Sequence, residues 1–146
     1  MVVVSLTTPL LIGLYYDKLI FKYFSSKERV SEVLPKIFND IEMNYNITGL
    51  YYAKGPGSFM AIKISYIFLK SYAIVKNIFL KATDGFYFNN NQPIKSIGKM
   101  YFIKKENSII LNSDIQNKPV DFSLPNTIKS KDFTNDCIPL YILPAV

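Results

Sequence analysis

The chain has no histidine, no tryptophan and a single cysteine, Cys137, in its 146 residues. Without histidine there is no imidazole base, and no serine–histidine or cysteine–histidine nucleophile pair can form. One cysteine cannot close a disulfide within the chain, and zinc sites of the usual cysteine and histidine kind are excluded. The residue types therefore nominate no catalytic site, no metal site and no cofactor, and Cys137 is expected to pack in the core.

Long apolar runs are also missing. No stretch approaches the roughly 18 uncharged residues that a membrane-spanning helix needs. The opening Met-Val-Val-Val lacks the basic n-region of a signal peptide, so we expect it to form a first strand. We therefore expect a globular cytoplasmic protein whose 49% hydrophobic residues build a substantial core.

Arginine is scarce although the formal net charge is +6. Arg29 is the single arginine among 17 cationic residues, and the lysines are dispersed along the chain. Arginine is the residue preferred for bidentate contacts to phosphates and bases. The charge pattern thus favours at most indirect or weak contact with nucleic acid.

A glycine-rich joint organises the rest of the sequence. It links an apolar strand at 47–53 to the longest apolar helix, at 58–76, and reads Gly55-Pro56-Gly57-Ser58. The proline fixes φ, the glycines allow positive φ, and Ser58 is a good helix N-cap. The joint is either a structural turn or a phosphate cradle, since helix N-termini attract anions, although Pro56 has no N–H to donate.

The hydrophobic periodicity predicts an α/β architecture. Strands are expected at 1–6, 10–16, 19–24, 47–53 and 78–82, with helices at 28–43 and 58–76. The first three strands form a meander, and the last two are parallel across a helical crossover. Ser25 or Ser26 is expected to begin the first helix, since Glu28 follows Ser25 at the spacing of a capping box. Pro35 lies inside this predicted helix and tends to kink it.

The polar run at 89–93 marks the expected boundary between an N-terminal lobe, 1–88, and a reduced second lobe, 89–146. Within the second lobe we expect a hairpin over 99–105 and 108–111, then polar coil with at most one short strand over 114–136. A closing strand at 138–143 should pack back near the first lobe.

Helix 58–76 is apolar nearly all round and must be covered on two sides. One stripe consists of Met60, Ile64, Ile67, Phe68 and Val75. The second, narrower stripe consists of Phe59, Ile62, Tyr66, Leu69 and Ala73. We predict that the second stripe is an interface with another protein, the alternative being a helix covered wholly by its own chain.

Other polar candidates have structural interpretations. Asp84 follows a strand without an acidic partner, so a helix cap is favoured over catalysis. Four tyrosines could stack on bases but fall within strand and helix patterns, which favours core or interface positions: Tyr51, Tyr52, Tyr66 and Tyr72.

The joint, extended to Phe59, resembles the glycine signature of the TsaB (YeaZ) family of the bacterial tRNA threonylcarbamoyladenosine machinery. The matching residues are Gly55, Pro56, Gly57, Ser58 and Phe59, and small, aliphatic and basic residues follow as in the family, here Ala61, Ile62 and Lys63. Two further stretches resemble the family in the expected order: 28–35, ending in Leu34 and Pro35, and 138–143 near the C-terminus. Met60, Ala61, Lys63, Ser65 and Leu143 depart from the family pattern.

The resemblance implies an actin-like/Hsp70-like kinase (ribonuclease H-like) fold with a complete N-terminal lobe and a shortened second lobe. In that fold the first hairpin carries an aspartate for phosphate and metal, whereas this chain has Leu6 and Thr7 there. The resemblance therefore implies a non-catalytic subunit without a cofactor. Its partners would be the catalytic paralogue TsaD and the ATPase TsaE, or a second copy when it is alone. The alternative is an ATP-binding enzyme or peptidase-like protein of the same fold.

Overall fold

A computed structural model describes residues 1–113 and 120–142. Two helices are present in this part of the chain, α1 (Val30–Glu42) and α2 (Phe59–Lys76), with short 3-10 helices at Gly85–Phe88 and Ser130–Asp132. The strands are β1 (Val2–Val4), β2 (Leu10–Tyr16), β3 (Leu19–Ser26), β4 (Gly49–Ala53), β5 (Phe79–Thr83), β6 (Ile94–Lys95), β7 (Tyr101–Lys105) and β8 (Ser108–Asn112).

The first five strands form one mixed sheet in the order β3-β2-β1-β4-β5. β1 pairs with β2, and β2 with β3, in antiparallel fashion. β4 runs parallel to both β1 and β5, with α2 as the connection between β4 and β5. The predicted meander and the predicted parallel crossover are both confirmed.

β1 is central and buried on both faces, so its residues alternate between two separate apolar clusters. Val3 faces α1 and α2, where Leu34, Phe38 and Leu69 complete the larger cluster. Val2, Val4 and Leu6 face the other way. That second face is covered by irregular chain, through Phe122, Leu124, Ile128 and Phe133.

α1 is amphipathic as predicted, but its start differs from the capping box expected at Ser25. β3 continues to Ser26, and the helix begins at Val30 with Arg29 as an N-cap that makes no side-chain bond. The Ser26 hydroxyl instead accepts a hydrogen bond from the Glu28 N–H at 3.1 Å. Ser25 and Ser26 pair with β2 and are therefore not used as helix caps. Pro35 lies inside α1, which continues through it.

The chain after the first sheet forms a three-stranded antiparallel sheet in the order β6-β7-β8. Its buried residues Ile94 and Phe102 pack on Phe86 of the 3-10 helix. The hairpin of β7 and β8 confirms the prediction, whereas the division into lobes at 88 and 89 stays a prediction.

Of the two predictions for the last third, the polar coil agrees with the structure over its described residues, whereas the closing strand needs correction. Within 120–136 the chain makes isolated bridges, Leu19 with Thr127 and Ala82 with Thr134, in place of a further strand. Residues 138–142 are irregular and not a closing strand, because only the Leu140 N–H bonds to the first lobe, at Lys54 O, 2.7 Å. They do pack back on the N-terminal part of the chain, where the Tyr141 ring contacts Phe59; Leu143 and residues 114–119 lie outside the description. In the described chain, neither helix is long and apolar enough to cross a membrane.

A pair of buried hydroxyls joins α2 to the end of β1. The Ser5 and Ser65 hydroxyls share a hydrogen bond, and both residues are buried. Removal of one partner leaves the other unsatisfied in an apolar setting, whereas removal of both is far milder.

We therefore expect Ser5→Ala and Ser65→Ala each to lower the free energy of unfolding by about 1–3 kcal/mol. The double variant should lose clearly less than the sum of the two. Urea denaturation measures all three, with exposed Ser71→Ala as the control, for which a change within about 0.5 kcal/mol is expected. Additive losses would contradict a shared hydrogen bond.

Candidate functional site

The glycine joint is a tight turn packed against the first hairpin. Gly55 has φ +122°, a conformation that favours glycine. At Gly57 a Cβ atom would lie 2.7 Å from the Leu6 carbonyl oxygen, so no side chain fits there. The glycines are therefore required by geometry, independently of any ligand.

Ser58 takes the N-cap position of α2, as predicted, but its hydroxyl makes no capping hydrogen bond. Its backbone N–H donates to the Leu6 carbonyl at 2.7 Å, and the Gly85 N–H donates to the Gly55 carbonyl at 2.8 Å. Because the amide that leads into α2 is already paired, it is not free to bind an anion. This favours the structural interpretation over the phosphate cradle.

A cavity of about 370 Å³ lies beside the joint. It is lined by Leu6, Thr7, Gly57, Ser58, Phe59, Ile62, Lys95, Ser96, Ile97, Phe102, Leu140, Tyr141 and Ile142. These lining residues include no carboxylate, and Lys95 is the one charged side chain among them. Hard cations such as Mg²⁺ need carboxylate oxygens, which this lining does not offer. No cluster of three or more His, Cys, Asp or Glu occurs within the described ranges.

Asp84 is a helix cap, as the sequence indicated. One carboxylate oxygen accepts a hydrogen bond from the Phe86 N–H at 3.0 Å, and the other is 2.5 Å from the Lys104 ammonium. Lys104 belongs to β7, so the ion pair also connects the two sheets. Both carboxylate oxygens of Asp84 therefore have structural partners.

Cys137 packs in the core, as predicted. Its thiol lies 3.1 Å from the Leu80 carbonyl, and burial raises the pKa of the thiol. A thiol that is held protonated is a poor nucleophile.

The tyrosines singled out in the sequence have structural roles. Tyr52 is buried and donates to the Cys137 carbonyl, with Tyr66 stacked on its ring. Tyr72 donates to a carboxylate oxygen of Glu42. Tyr51 is half-buried between Phe79 and Phe133.

The predicted interface stripe on α2 is wrong, because it faces the core. Ile62, Leu69 and Ala73 are buried and Tyr66 is half-buried against the sheet. Phe59 alone is exposed, and its ring packs on Tyr141. Both stripes are equally apolar, so composition did not reveal which one the sheet would cover.

The exposed apolar side chains of α2 form what we term the α2 ridge, made of Met60, Ile67, Ile74 and Val75. Their side chains are 58%, 53%, 68% and 80% exposed. Ile64 and Phe68, from the same predicted stripe, are half-buried, with Phe68 against Phe38 of α1. Ile74 was not included in the predicted stripe. Met60, Ile67 and Ile74 follow one another at intervals of seven residues, which places all three on one face of the helix.

The two faces of α2 should respond oppositely to a charge. Ile62→Asp and Leu69→Asp place a carboxylate in the core, so each should abolish folding or lower the free energy of unfolding by several kcal/mol. Ile67→Asp and Ile74→Asp should keep the wild-type thermal transition within a few degrees. Thermal unfolding followed by circular dichroism tests this, and a large loss in the second pair would contradict the exposed face.

The comparisons with known proteins concern the fold. No protein-family model matches the chain, and no curated protein matches its sequence. One similar solved structure is an uncharacterized protein with similarity to peptidase YEAZ from Pseudomonas aeruginosa, at 11% identity and TM-score 0.54. The alignment covers 77% of this chain and 62% of that one. YeaZ from Pseudomonas aeruginosa is similar with TM-score 0.60 and 11% identity, over 97% of this chain and 98% of the other.

TM-scores of 0.54 and 0.60 at 11% identity show a similar fold, and a similar fold does not by itself imply a function. The similarity is independent of the glycine motif, because it rests on the path of the backbone. The five-stranded mixed sheet with α1 and α2 is thus a TsaB/YeaZ-like fold, as the sequence resemblance predicted.

Proposed function

We propose that the chain is a non-catalytic partner subunit that binds a catalytic paralogue of its own fold. The complex would serve threonylcarbamoylation of the adenosine next to the anticodon of tRNA. The paralogue is TsaD-like, a TsaE-like ATPase joins the assembly, and this chain contacts tRNA only indirectly or weakly. A cytoplasmic location goes with this role.

The α2 ridge is the observation that carries the proposal. Four large aliphatic side chains stand exposed along one helix of a protein with a well-formed core. An exposed apolar patch of this kind usually marks a protein interface. These side chains are 53–80% exposed, so burying the remainder contributes at most about 1.5–3 kcal/mol each, which offsets part of the cost of association.

Charges along the helix indicate the chemistry of the partner surface. Lys63 and Lys70 are exposed beside the ridge in the helical repeat, α2 carries no carboxylate, and Lys76 is paired with Glu42 of α1. A partner with acidic residues around an apolar groove complements this face. In a homodimer the lysines of the two copies would repel each other, so we expect it to be weaker than the complex with the partner. Low ionic strength screens this repulsion less and should weaken the homodimer further.

The lack of a carboxylate in the lining of the cavity beside the glycine joint supports a role without catalysis. We assign the fold more finely as actin-like and ribonuclease H-like, with a reduced second lobe after residue 88. In that fold class the first hairpin supplies an acid, whereas here Leu6 is buried and Thr7 follows it. The described lining of the neighbouring cavity holds no carboxylate for a metal.

The decisive experiment is co-purification of the tagged chain from its native cell, followed by reconstitution with the TsaD-like and TsaE-like proteins recovered. We expect threonylcarbamoyladenosine to form on tRNA only when this chain is present. The chain alone should hydrolyse neither ATP nor peptides.

Ridge variants connect the activity to the surface. Ile67→Asp and Ile74→Asp should lose the partner in size-exclusion chromatography and lose the modification, with their thermal transitions kept. Ile97→Asp, which changes an exposed isoleucine of the second lobe, is the matched control and should bind as wild type does. Turnover by the chain alone that a point variant abolishes, or full partner binding by both ridge variants, would contradict the proposal.

A further inference from the structure

A cavity of about 310 Å³ at the far end of the first hairpin has no role in the partner proposal. We term it the hairpin pocket. It is lined by Met1, Leu14, Tyr15, Tyr16, Phe21, Ile41, Asn44, Tyr45, Asn46, Ile47 and Thr48. Core residues form its floor, three aromatic rings stand at its rim, and two asparagines and a threonine supply polar groups.

Local backbone geometry brings the rings to this rim. The pairing of β2 with β3 shifts register between Leu14 and Tyr15, which leaves Phe21 as an extra residue in β3. Such a bulge redirects a side chain and is often found beside binding sites. Tyr16 precedes the hairpin turn, and Tyr45 follows the end of α1.

The rim rings are accessible and not packed away. Tyr16, Phe21 and Tyr45 are 80%, 50% and 39% exposed. Phe21 and Tyr45 contact each other with centroids 5.4 Å apart and planes tilted by 59°, so they form an aromatic pair at the rim. The α2 ridge, by contrast, is purely aliphatic. Exposed rings around a small cavity suit a flat aromatic ligand better than a helix.

Positive charge lies directly beside the rings. The Lys22 ammonium is 5.9 Å from the Tyr45 ring centroid and 5.4 Å from that of Phe24. Lys18 lies in the turn of the same hairpin, next to Asp17, which is the single carboxylate between residues 16 and 27. The lining of the hairpin pocket contains no carboxylate. A ligand that combines a flat ring with a nearby negative charge fits this arrangement.

We propose that the hairpin pocket binds an unpaired base of a single-stranded nucleic acid. The base lies against the rim aromatics, Asn44 and Asn46 offer amide groups to its edge, and Lys22 contacts an adjacent phosphate. Stacking platforms with interleaved cations are the usual means of binding single strands. The proposal rests on these residues alone and goes beyond the partner role. A one-base pocket binds weakly, which agrees with a subunit that makes only weak contact with tRNA.

Fluorescence anisotropy with a labelled 12-nucleotide single-stranded RNA tests the proposal on the full chain. The same sequence as a duplex, and AMP as a competitor, separate single-strand recognition from phosphate attraction and from free-nucleotide binding. Tyr16→Ala and Tyr45→Ala should each weaken binding of the single strand about five- to a hundred-fold. Lys22→Gln should reduce the slope of log affinity against log salt by about 0.7.

Two controls test whether the effect is local. Phe59→Ala and Lys63→Gln change an exposed ring and an exposed lysine on α2, and both should bind RNA as wild type does. Tyr16 is so exposed that its alanine variant should keep the wild-type thermal transition.

Three results would overturn the proposal. Duplex binding as tight as single-strand binding would show phosphate attraction without a base pocket. AMP binding as tight as the oligonucleotide would show a free-nucleotide site. Self-association of the chain that Tyr16→Ala abolishes would show that the rings cover a second copy.

Discussion

The close approach of Gly57 to the Leu6 carbonyl determines how α2 sits on the sheet. The contact leaves no room for a side chain, and the Ser58 N–H fixes its distance with a short hydrogen bond. The first turn of the helix is thereby held against the end of β1, and the next buried positions, Ile62 and Ser65, follow from the helical repeat. The choice of which apolar stripe faces the core depends on this one contact.

The sequence alone was sufficient for most of the architecture. Strand β2 and the end of α2 coincide with the predicted bounds, because β2 is an apolar run of Leu, Ile and Tyr between Pro9 and the Asp17-Lys18 turn, and an asparagine ends the helix in a left-handed conformation. The start of α1 was missed because the serines that could cap a helix are used to extend β3. The capping preference of these serines competes with strand pairing, and the register of the hairpin places them in β3.

The functional surfaces were harder to predict than the fold. α2 is apolar on two sides, so the partner stripe was assigned to Ile62 and Leu69, which the sheet covers. The rim of the hairpin pocket was missed because Phe21 lies in a strand pattern that gives no sign of a bulge. Hydrophobic periodicity identifies buried and exposed faces only where one face is polar, and neither α2 nor β3 meets that condition.

The second face of the five-stranded sheet is shielded by residues that come late in the chain. Val2, Val4 and Leu6 are synthesised well before Ile128 and Phe133, which cover them. Until that segment is made, an apolar surface of the growing sheet faces water or other proteins. Such nascent surfaces bind chaperones and invite aggregation. Completion of this protein should therefore be a late and cooperative event, sensitive to truncation well beyond its last regular strand.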